Sequence, residues 1–399
     1  LDRNEIMRKL IRQLWPLLML GFLINTAYSV MWPLTTIYLH NQLRLNLVVS
    51  GLILAAYSGC NVLGGYLGGV LADRYSAKRV GEVMLLGLLV DAAVGIFYNG
   101  LIAYPIVLVI FGLLTGGMLT LISALTAQLS HADSRLFNLL YIFINLGLVV
   151  GTASIGFLFH HSLRPIFGLL LICYGGAIGL WHWRAGTYEQ QAEIPVIVRD
   201  EPVEATATLP FSPLMIVGLL VSLVLMWLTY AQWMSNVSVY IQAEGLGIKL
   251  YSYLWVYNGI LLMVVQAVMA RFSQPRFLMR QIIGGLLAIG GSFLLLTLTS
   301  GTGALFAAMT LLTLGEAIYV PGVPALINAQ TVGDEGRYQG LVNACSSLGK
   351  AVGPVVGGLV IGQFASFPVL FLGCAVVDLL VVCGLGLTRY HYRTSEASH

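Results

Sequence analysis

The sequence predicts an all-α membrane protein with twelve transmembrane helices in two pseudo-symmetric six-helix bundles. Its composition is 58% hydrophobic and 9% charged, against about 25% charged residues in an ordinary soluble domain. Twelve apolar segments reach the roughly 20 residues that cross a bilayer core of about 30 Å. They are predicted as helices because backbone hydrogen bonds in lipid must close within the segment.

The twelve segments fall on both sides of one long polar connection. They cover residues 13–39, 47–71, 80–98, 104–127, 136–159, 165–183, 213–241, 250–270, 281–300, 304–328, 338–361 and 367–388. We call them spans 1 to 12. The connection, 185–212, is charged and contains prolines, which is typical of a linker. The predicted domains are therefore an N-terminal bundle over 1–184, a cytoplasmic linker over 185–212 and a C-terminal bundle with a short cytoplasmic tail over 213–399.

Charged residues predict the orientation of these spans. Most lysines and arginines lie in the N-terminal segment, the even-numbered connections and the C-terminal tail. Only Arg44, Arg164 and Lys249 lie on the opposite side. Positive residues concentrate on the cytoplasmic side of membrane proteins, so both termini are predicted to be cytoplasmic. The small net charge of +3 gives no reason to expect a nucleic-acid partner.

An internal repeat supports the division into two bundles. Residues Arg135–Gly156 align without gaps on Arg337–Gly358 at an offset of 202. The matched pairs include Gly147 with Gly349 and Gly151 with Gly353. Any two glycine-rich helices share some residues, but here an arginine also begins both copies. Duplicated halves are common in secondary transporters.

The connection between spans 2 and 3 carries the motif GVLADRYSAKR. It resembles the cytoplasmic loop signature of the major facilitator superfamily. Gly69, Asp73, Arg74 and Lys78 match that signature, while Ser76 and Ala77 differ from it. The resemblance implies the major facilitator fold, in a multi-pass protein of a bacterial inner membrane. It also implies that Asp73 pairs near Arg337 as a conformational latch. An ordinary positively charged cytoplasmic loop is the alternative.

Span 11 carries the motif GKAVGPVVGG. Gly349, Gly353 and Gly357 share one face and predict close helix packing, while Pro354 bends the helix. The motif resembles the superfamily's glycine-proline antiporter motif, although that motif belongs to span 5, so antiport does not follow from it alone. Drug-proton antiporters of the superfamily often carry an arginine in span 4, and Gly112 stands at that position here.

Glu316 lies near the middle of span 10 and is followed by Pro321. A carboxylate at mid-membrane costs roughly 3 kcal/mol on insertion scales, so it marks a functional site. GEAIYVPGVP resembles span 10 of bacterial multidrug efflux members, where it implies a proton carrier or a binding group for cations in the central cavity. Pro321 weakens the helix there, which suits a gate.

A structural ion pair is the alternative interpretation of Glu316. Lys350 lies at similar depth and could neutralise either Glu316 or Asp378, and the sequence does not distinguish these pairings. Asp91 and Asp378 lie in spans 3 and 12, which the resemblance places outside the cavity. We therefore predict these two aspartates to be structural intramembrane charges.

Polar and aromatic side chains in spans 1 and 7 supply further candidates for the substrate site. They are Asn25, Tyr28, Trp32, Tyr230 and Trp233. Flat rings suit a lipophilic or cationic substrate. Packing in the core or against lipid explains any single ring equally well.

These features predict a secondary active transporter rather than an enzyme. The sequence has neither a phosphate-binding loop nor a cluster of nucleophiles or metal ligands, so we expect no cofactor and no metal. The favoured function is proton-coupled efflux of lipophilic or cationic drugs by alternating access. The alternatives are transport of a small polar solute (an amino acid, a sugar or a peptide) and, less favoured, a lipid flippase. The expected partners are a small-molecule substrate, protons and membrane lipid, with the protein a monomer.

Overall fold

The computed structural model describes residues 3–129, 134–159, 162–192, 212–269, 278–331 and 335–397. Within these ranges the regular structure is helical throughout, and no strand occurs. The helices of the first half are α1 (Arg3–Ile37), which continues into a π-helical turn (Tyr38–Gln42), α2 (Leu47–Arg74), α3 (Ala77–Phe97), α4 (Ala103–Leu129), α5 (Ser134–Leu158) and α6 (Arg164–Ala192). Those of the second half are α7 (Pro213–Met234), α8 (Asn236–Ala243), α9 (Ile248–Met269), α10 (Leu278–Leu298), α11 (Thr302–Gln330), α12 (Glu335–Phe364) and α13 (Phe367–Ala397).

The predicted all-α membrane class is confirmed. Among the residues described, eleven stretches are long and apolar enough to cross a membrane, and α5 adds the shorter apolar stretch Ile142–Leu158. α6 continues to Ala192, into the predicted linker. Residues 193–211 of that linker lie outside the described residues.

Span 7 differs from the prediction because it is divided at Ser235 into α7 and α8. The Ser235 hydroxyl donates to the carbonyl oxygen of Ala231 at 2.7 Å, and Asn236 Nδ2 donates to Gln232 Oε1 at 2.7 Å. Side chains of this kind offer the backbone alternatives to regular helical bonding. α11, in contrast, runs unbroken through Pro321 and Pro324.

The chain forms two compact units. Unit 1 comprises Leu1–Leu43 and Ala56–Arg199, and unit 2 comprises Arg44–Ala55 and Asp200–His399. In unit 1, α1 packs on α5 and α3 packs on α6; in unit 2, α7 packs on α12 and α10 packs on α11 and α13.

The internal repeat extends to the register of helix packing in each unit. In unit 1 a Cβ atom on Gly147 would meet the carbonyl oxygen of Phe22, and one on Gly151 would meet that of Thr26. In unit 2 a Cβ atom on Gly349 would meet the carbonyl oxygen of Val224, and one on Gly353 would lie 2.7 Å from the carbonyl oxygen of Leu228. All four contacts obey the repeat offset of 202. Parallel helices with glycines four residues apart thus approach at backbone distance in both units.

Candidate functional site

Glu316 lies on α11 and its side chain is partly exposed. Its Oε2 accepts a hydrogen bond from the Tyr230 hydroxyl of α7 at 2.9 Å and another from Asn258 Nδ2 of α9 at 3.2 Å. Asn258 Nδ2 also donates to Thr313 Oγ1 at 2.8 Å, one turn before Glu316. Two helices of unit 2, α7 and α9, therefore supply neutral donors that stabilise a carboxylate at this position.

Lys350 of α12 lies in the same part of unit 2 and is also partly exposed. Its Nζ lies 3.8 Å from the centroid of the Trp227 ring, in cation–π geometry. Lys350 and Glu316 interact electrostatically. Within the described residues, however, no carboxylate oxygen lies within 4.0 Å of Nζ. The opposite charges of Lys350 and Glu316 are therefore held separately, without a direct ion pair.

A row of aromatic rings connects the two charged groups. The Trp227 and Tyr230 rings are 5.0 Å apart at 67°, and the Tyr230 and Trp255 rings are 6.3 Å apart at 68°. Edge-to-face contacts of this kind fix ring orientation. Gly349 allows the row to form, because a Cβ atom there would lie 2.8 Å from Trp227 Cβ. We call Trp227, Tyr230, Asn258, Glu316 and Lys350 the charged cluster.

Three contributors to this site, Trp227, Asn258 and Trp255, were not among the predicted residues. Asn258 is 2% exposed, and its amide binds the carboxylate directly. The available signal was an isolated amide in the middle of an apolar span. Trp255 is 4% exposed and packs against Tyr230 and Tyr251.

The predicted aromatic and polar residues divide between the units. Trp233 is fully buried and donates through Nε1 to Ser292 Oγ of α10 at 3.0 Å, away from the charged cluster. In unit 1, Asn25 Nδ2 donates to the Ile144 carbonyl oxygen of α5 at 2.7 Å. Tyr28 and Trp32 both pack on Tyr57, with ring centroids 6.1 and 5.8 Å away. Only Tyr230 of the five joins the charged cluster.

The two aspartates that were predicted to be structural are both buried. Asp378 is 1% exposed, and its Oδ1 accepts a hydrogen bond from Thr229 Oγ1 at 3.0 Å. The lack of a side chain at Gly290 leaves room for Asp378, because a Cβ atom added to Gly290 would lie 3.2 Å from Asp378 Cβ. Asp91 is 5% exposed, and the Oδ2 atoms of both Asp91 and Asp378 have no hydrogen-bond partner. The sequence alone did not distinguish these two acids.

The predicted latch falls partly outside the described residues, since the side chains of Asp73 and Arg337 are not among them. A Cβ atom added to Gly69 would lie in ordinary van der Waals contact with its nearest neighbour, Thr120 Cγ2, at 3.9 Å. Arg74 is exposed and Lys78 is partly exposed. The pairing of Asp73 near Arg337 stays a prediction.

The structure explains why α4 has no arginine at position 112. A Cβ atom on Gly112 would lie 2.7 Å from both the carbonyl oxygen and the Cδ2 of Tyr57. Asn61 Nδ2 also donates to the Gly112 carbonyl oxygen at 3.1 Å. α2 therefore approaches α4 at backbone distance here, and the Tyr57 ring occupies the space that a longer side chain would need.

The described residues contain no group of three or more histidine, cysteine or acidic side chains that fits a metal ion. Membrane-spanning helices, duplicated packing and a partly exposed intramembrane acid define a multi-pass transporter of the helical class. The Major Facilitator Superfamily model matches residues 17–329 and 280–398. The chain belongs to the Major Facilitator Superfamily, as the loop motif predicted. It is a transporter of small molecules and not an enzyme.

Relatives and solved structures agree with this assignment. The chain is 31% identical over 381 residues to the uncharacterized MFS-type transporter YttB of Bacillus subtilis (strain 168), covering 92% of this chain and 91% of YttB. It is 25% identical over 353 residues to the multidrug resistance protein MdtH of Escherichia coli (strain SE11), covering 86% and 83%. The fold is similar to that of the POT family transporter PepTSo, with a TM-score of 0.74, 14% identity and coverage of 96% and 98%.

Proposed function

We propose that this protein exports lipophilic or cationic compounds in exchange for protons, by alternating access. The observation that carries the proposal is the partly exposed Glu316 carboxyl, which is held by Tyr230 and Asn258 rather than by a direct ion pair. A structural ion pair would have fixed its charge permanently. A carboxyl that is held by neutral donors can instead lose and regain a proton during a cycle.

The geometry supports a competition between proton and substrate at this carboxyl. As an anion, Glu316 accepts hydrogen bonds from Tyr230 and Asn258 and attracts a cation. Protonation removes the negative charge and makes one carboxyl oxygen a donor. The aromatic row of Trp227, Tyr230 and Trp255 offers flat apolar contact for the uncharged part of the substrate.

The similarity to MdtH, named a multidrug resistance protein, supports efflux over import. We place the protein in a bacterial inner membrane with both termini cytoplasmic, from its bacterial relatives and the distribution of its lysines and arginines. In this proposal it works as a monomer, with lipid and protons as its other partners.

A second candidate is transport of a small zwitterionic solute such as a peptide. The observation that favours it is the separation of Lys350 from Glu316, which leaves one group of each sign within a single cluster. A zwitterion could bridge such groups. The fold shared with PepTSo is compatible with this candidate but does not argue for it, because the identity is only 14%.

Transport into proteoliposomes under an imposed pH gradient tests the two candidates. We expect several unrelated lipophilic cations to be transported in the direction opposite to proton flow, and dipeptides not to be transported. Movement of dipeptides alone would contradict efflux and support the second candidate. The control is the same vesicles with the gradient collapsed by a protonophore.

Lys350 has a definite role in this proposal, because its charge remains when Glu316 is protonated. The charged cluster then changes from neutral to positive, and Lys350 repels a bound cation. For a substrate charge about 8 Å from Nζ and an effective dielectric constant of about 20, the repulsion is about 2 kcal/mol. That energy corresponds to about a 30-fold weakening of binding.

We therefore predict that Lys350→Gln keeps a permanent monocation bound at acidic pH, where the wild-type protein releases it. Binding of tetraphenylphosphonium to purified protein at two pH values measures this effect. The expected Kd at acidic pH is about 30-fold lower in the variant than in the wild-type protein. Lys350→Arg is the matched control and keeps the wild-type Kd at that pH. An unchanged Kd at acidic pH in Lys350→Gln would exclude this role for Lys350.

A further inference from the structure

Asp91 of α3 is a buried acid that the charged cluster does not use. It is 5% exposed, its Oδ2 has no hydrogen-bond partner, and no cationic nitrogen among the described residues lies within 4.0 Å. α4 and α6 pack against α3. The only titratable side chain of α4 is Tyr104; near the level of Asp91, α6 offers Cys173 and Tyr174, with its charged residues towards its ends. A buried carboxyl without a partner is costly, so a purely structural role is poorly supported.

A line of hydroxyl groups leads away from Asp91 through unit 1. Tyr174 of α6 interacts electrostatically with Asp91, and its hydroxyl lies beside that of Thr115 on α4. Tyr57 of α2 interacts with Tyr174 in turn, and its hydroxyl lies beside that of Tyr28 on α1. The rings alternate along the same path, with Phe111 6.2 Å from Tyr57 and 6.3 Å from Tyr174.

The interior members of this line are buried and unsatisfied. Tyr57, Thr115 and Tyr174 are fully buried, and none of their hydroxyl oxygens has a hydrogen-bond partner of normal geometry. Tyr28, at the far end, is partly exposed and accepts a hydrogen bond from Trp32 Nε1 at 3.5 Å. Buried polar groups without protein partners are usually satisfied by internal water. Phenylalanine in place of tyrosine and valine in place of threonine would fill this core without unsatisfied hydroxyl groups, as Phe111 does.

We propose that Asp91 is a second proton-binding site, which is reached from Tyr28 through the hydroxyl groups of Tyr57 and Tyr174 and the water between them. Each hydroxyl passes its own proton forward as it receives one from behind, so the tyrosines end unchanged. The Asp91 carboxylate becomes a neutral carboxylic acid. Its discharge runs along the same line in reverse. The site belongs to unit 1 and does not depend on Glu316.

Proton uptake by purified protein after a rapid drop in pH tests this proposal. The measurement is made in the Glu316→Gln background, so that Glu316 contributes nothing whether or not the proposed function holds. A pH-indicating dye should report a slow uptake phase that Asp91→Asn removes. Tyr174→Phe should retain the amplitude of that phase and slow it by about tenfold or more, since the ring stays and only the hydroxyl is lost.

Tyr319→Phe is the matched control, because Tyr319 is a buried tyrosine of unit 2 whose hydroxyl is satisfied by Ser222 at 2.7 Å. It should leave the uptake phase unchanged. Asp91→Leu should also raise Tm near neutral pH, because it removes an unsatisfied buried carboxyl. Uptake that is unchanged in both Asp91→Asn and Tyr174→Phe would overturn the proposal. A lower Tm in Asp91→Leu with unchanged uptake would likewise assign Asp91 a structural role only.

Discussion

Glu316→Gln is expected to abolish transport driven by a pH gradient and to bind a cationic substrate only as weakly as the protonated wild-type protein does. The amide keeps the shape of the side chain, and its oxygen can still accept hydrogen bonds from Tyr230 and Asn258. It cannot gain or lose a proton, so substrate and proton no longer compete at this position. Uptake of a lipophilic cation into proteoliposomes should fall to the level of protein-free vesicles, while exchange of labelled for unlabelled substrate continues at high substrate concentration.

Glu82→Gln is the matched control for this variant. Glu82 is a carboxyl of α3 that lies 3.5 Å from His182 Nδ1 and outside the charged cluster. It should transport at the wild-type rate. Gradient-driven uptake that persists in Glu316→Gln would remove Glu316 from proton coupling. Loss of uptake in both variants would point to a general effect of removing a carboxyl.

The second large effect is expected from Gly353→Val, because α12 and α7 approach at backbone distance there. An added Cβ would lie 2.7 Å from the Leu228 carbonyl oxygen and 2.7 Å from Ala231 Cβ. Neither a carbonyl oxygen nor a methyl on a rigid helix can move aside, so the helices must separate. Overpacking of a tight core costs about 1–3 kcal/mol, and separation would also weaken the Gln232 Nε2 bond to the Gly353 carbonyl oxygen, now 2.7 Å long.

Gly362→Val on the same helix is the control, since nothing lies within 4 Å of an added Cβ there. The yield of monodisperse protein and its Tm in detergent measure the difference. We expect Gly353→Val to lower both strongly and Gly362→Val to change neither. Equal stability of the two variants would show that the close approach of α7 and α12 is not required for folding.

The helical fold could be predicted from the sequence because a bilayer permits few kinds of backbone structure. Apolar length and the requirement for internal hydrogen bonds predict helices at all twelve spans. The offset of 202, read from the sequence repeat, also relates the contact of Gly147 with Phe22 in unit 1 to that of Gly349 with Val224 in unit 2, although the sequence alone did not identify these partners. The division at Ser235 was not predicted, since the side chains that compete with the helix act through contacts that only the fold creates.

The candidate site could be predicted from the sequence only in part. The cost of a charge in lipid singled out Glu316 and Lys350, but pairing depends on the rotation of each helix. That rotation places Trp227 under the Lys350 ammonium and turns Trp233 towards Ser292. The periodicity of uniformly apolar helices says little about rotation, because no polar face marks the direction. The line of tyrosine hydroxyls behind Asp91 was not predicted for the same reason.

Proton release on substrate binding shows whether a proton and the substrate compete for the Glu316 carboxyl. Purified protein in weakly buffered detergent solution, near the midpoint of its pH-dependent binding, is mixed with a permanent monocation while a pH-indicating dye is followed. We expect protons to be released by the wild-type protein in proportion to the substrate bound, and none to be released by Glu316→Gln at a cation concentration that saturates this variant. Binding to the wild-type protein without proton release, or equal release by both proteins, would contradict this competition.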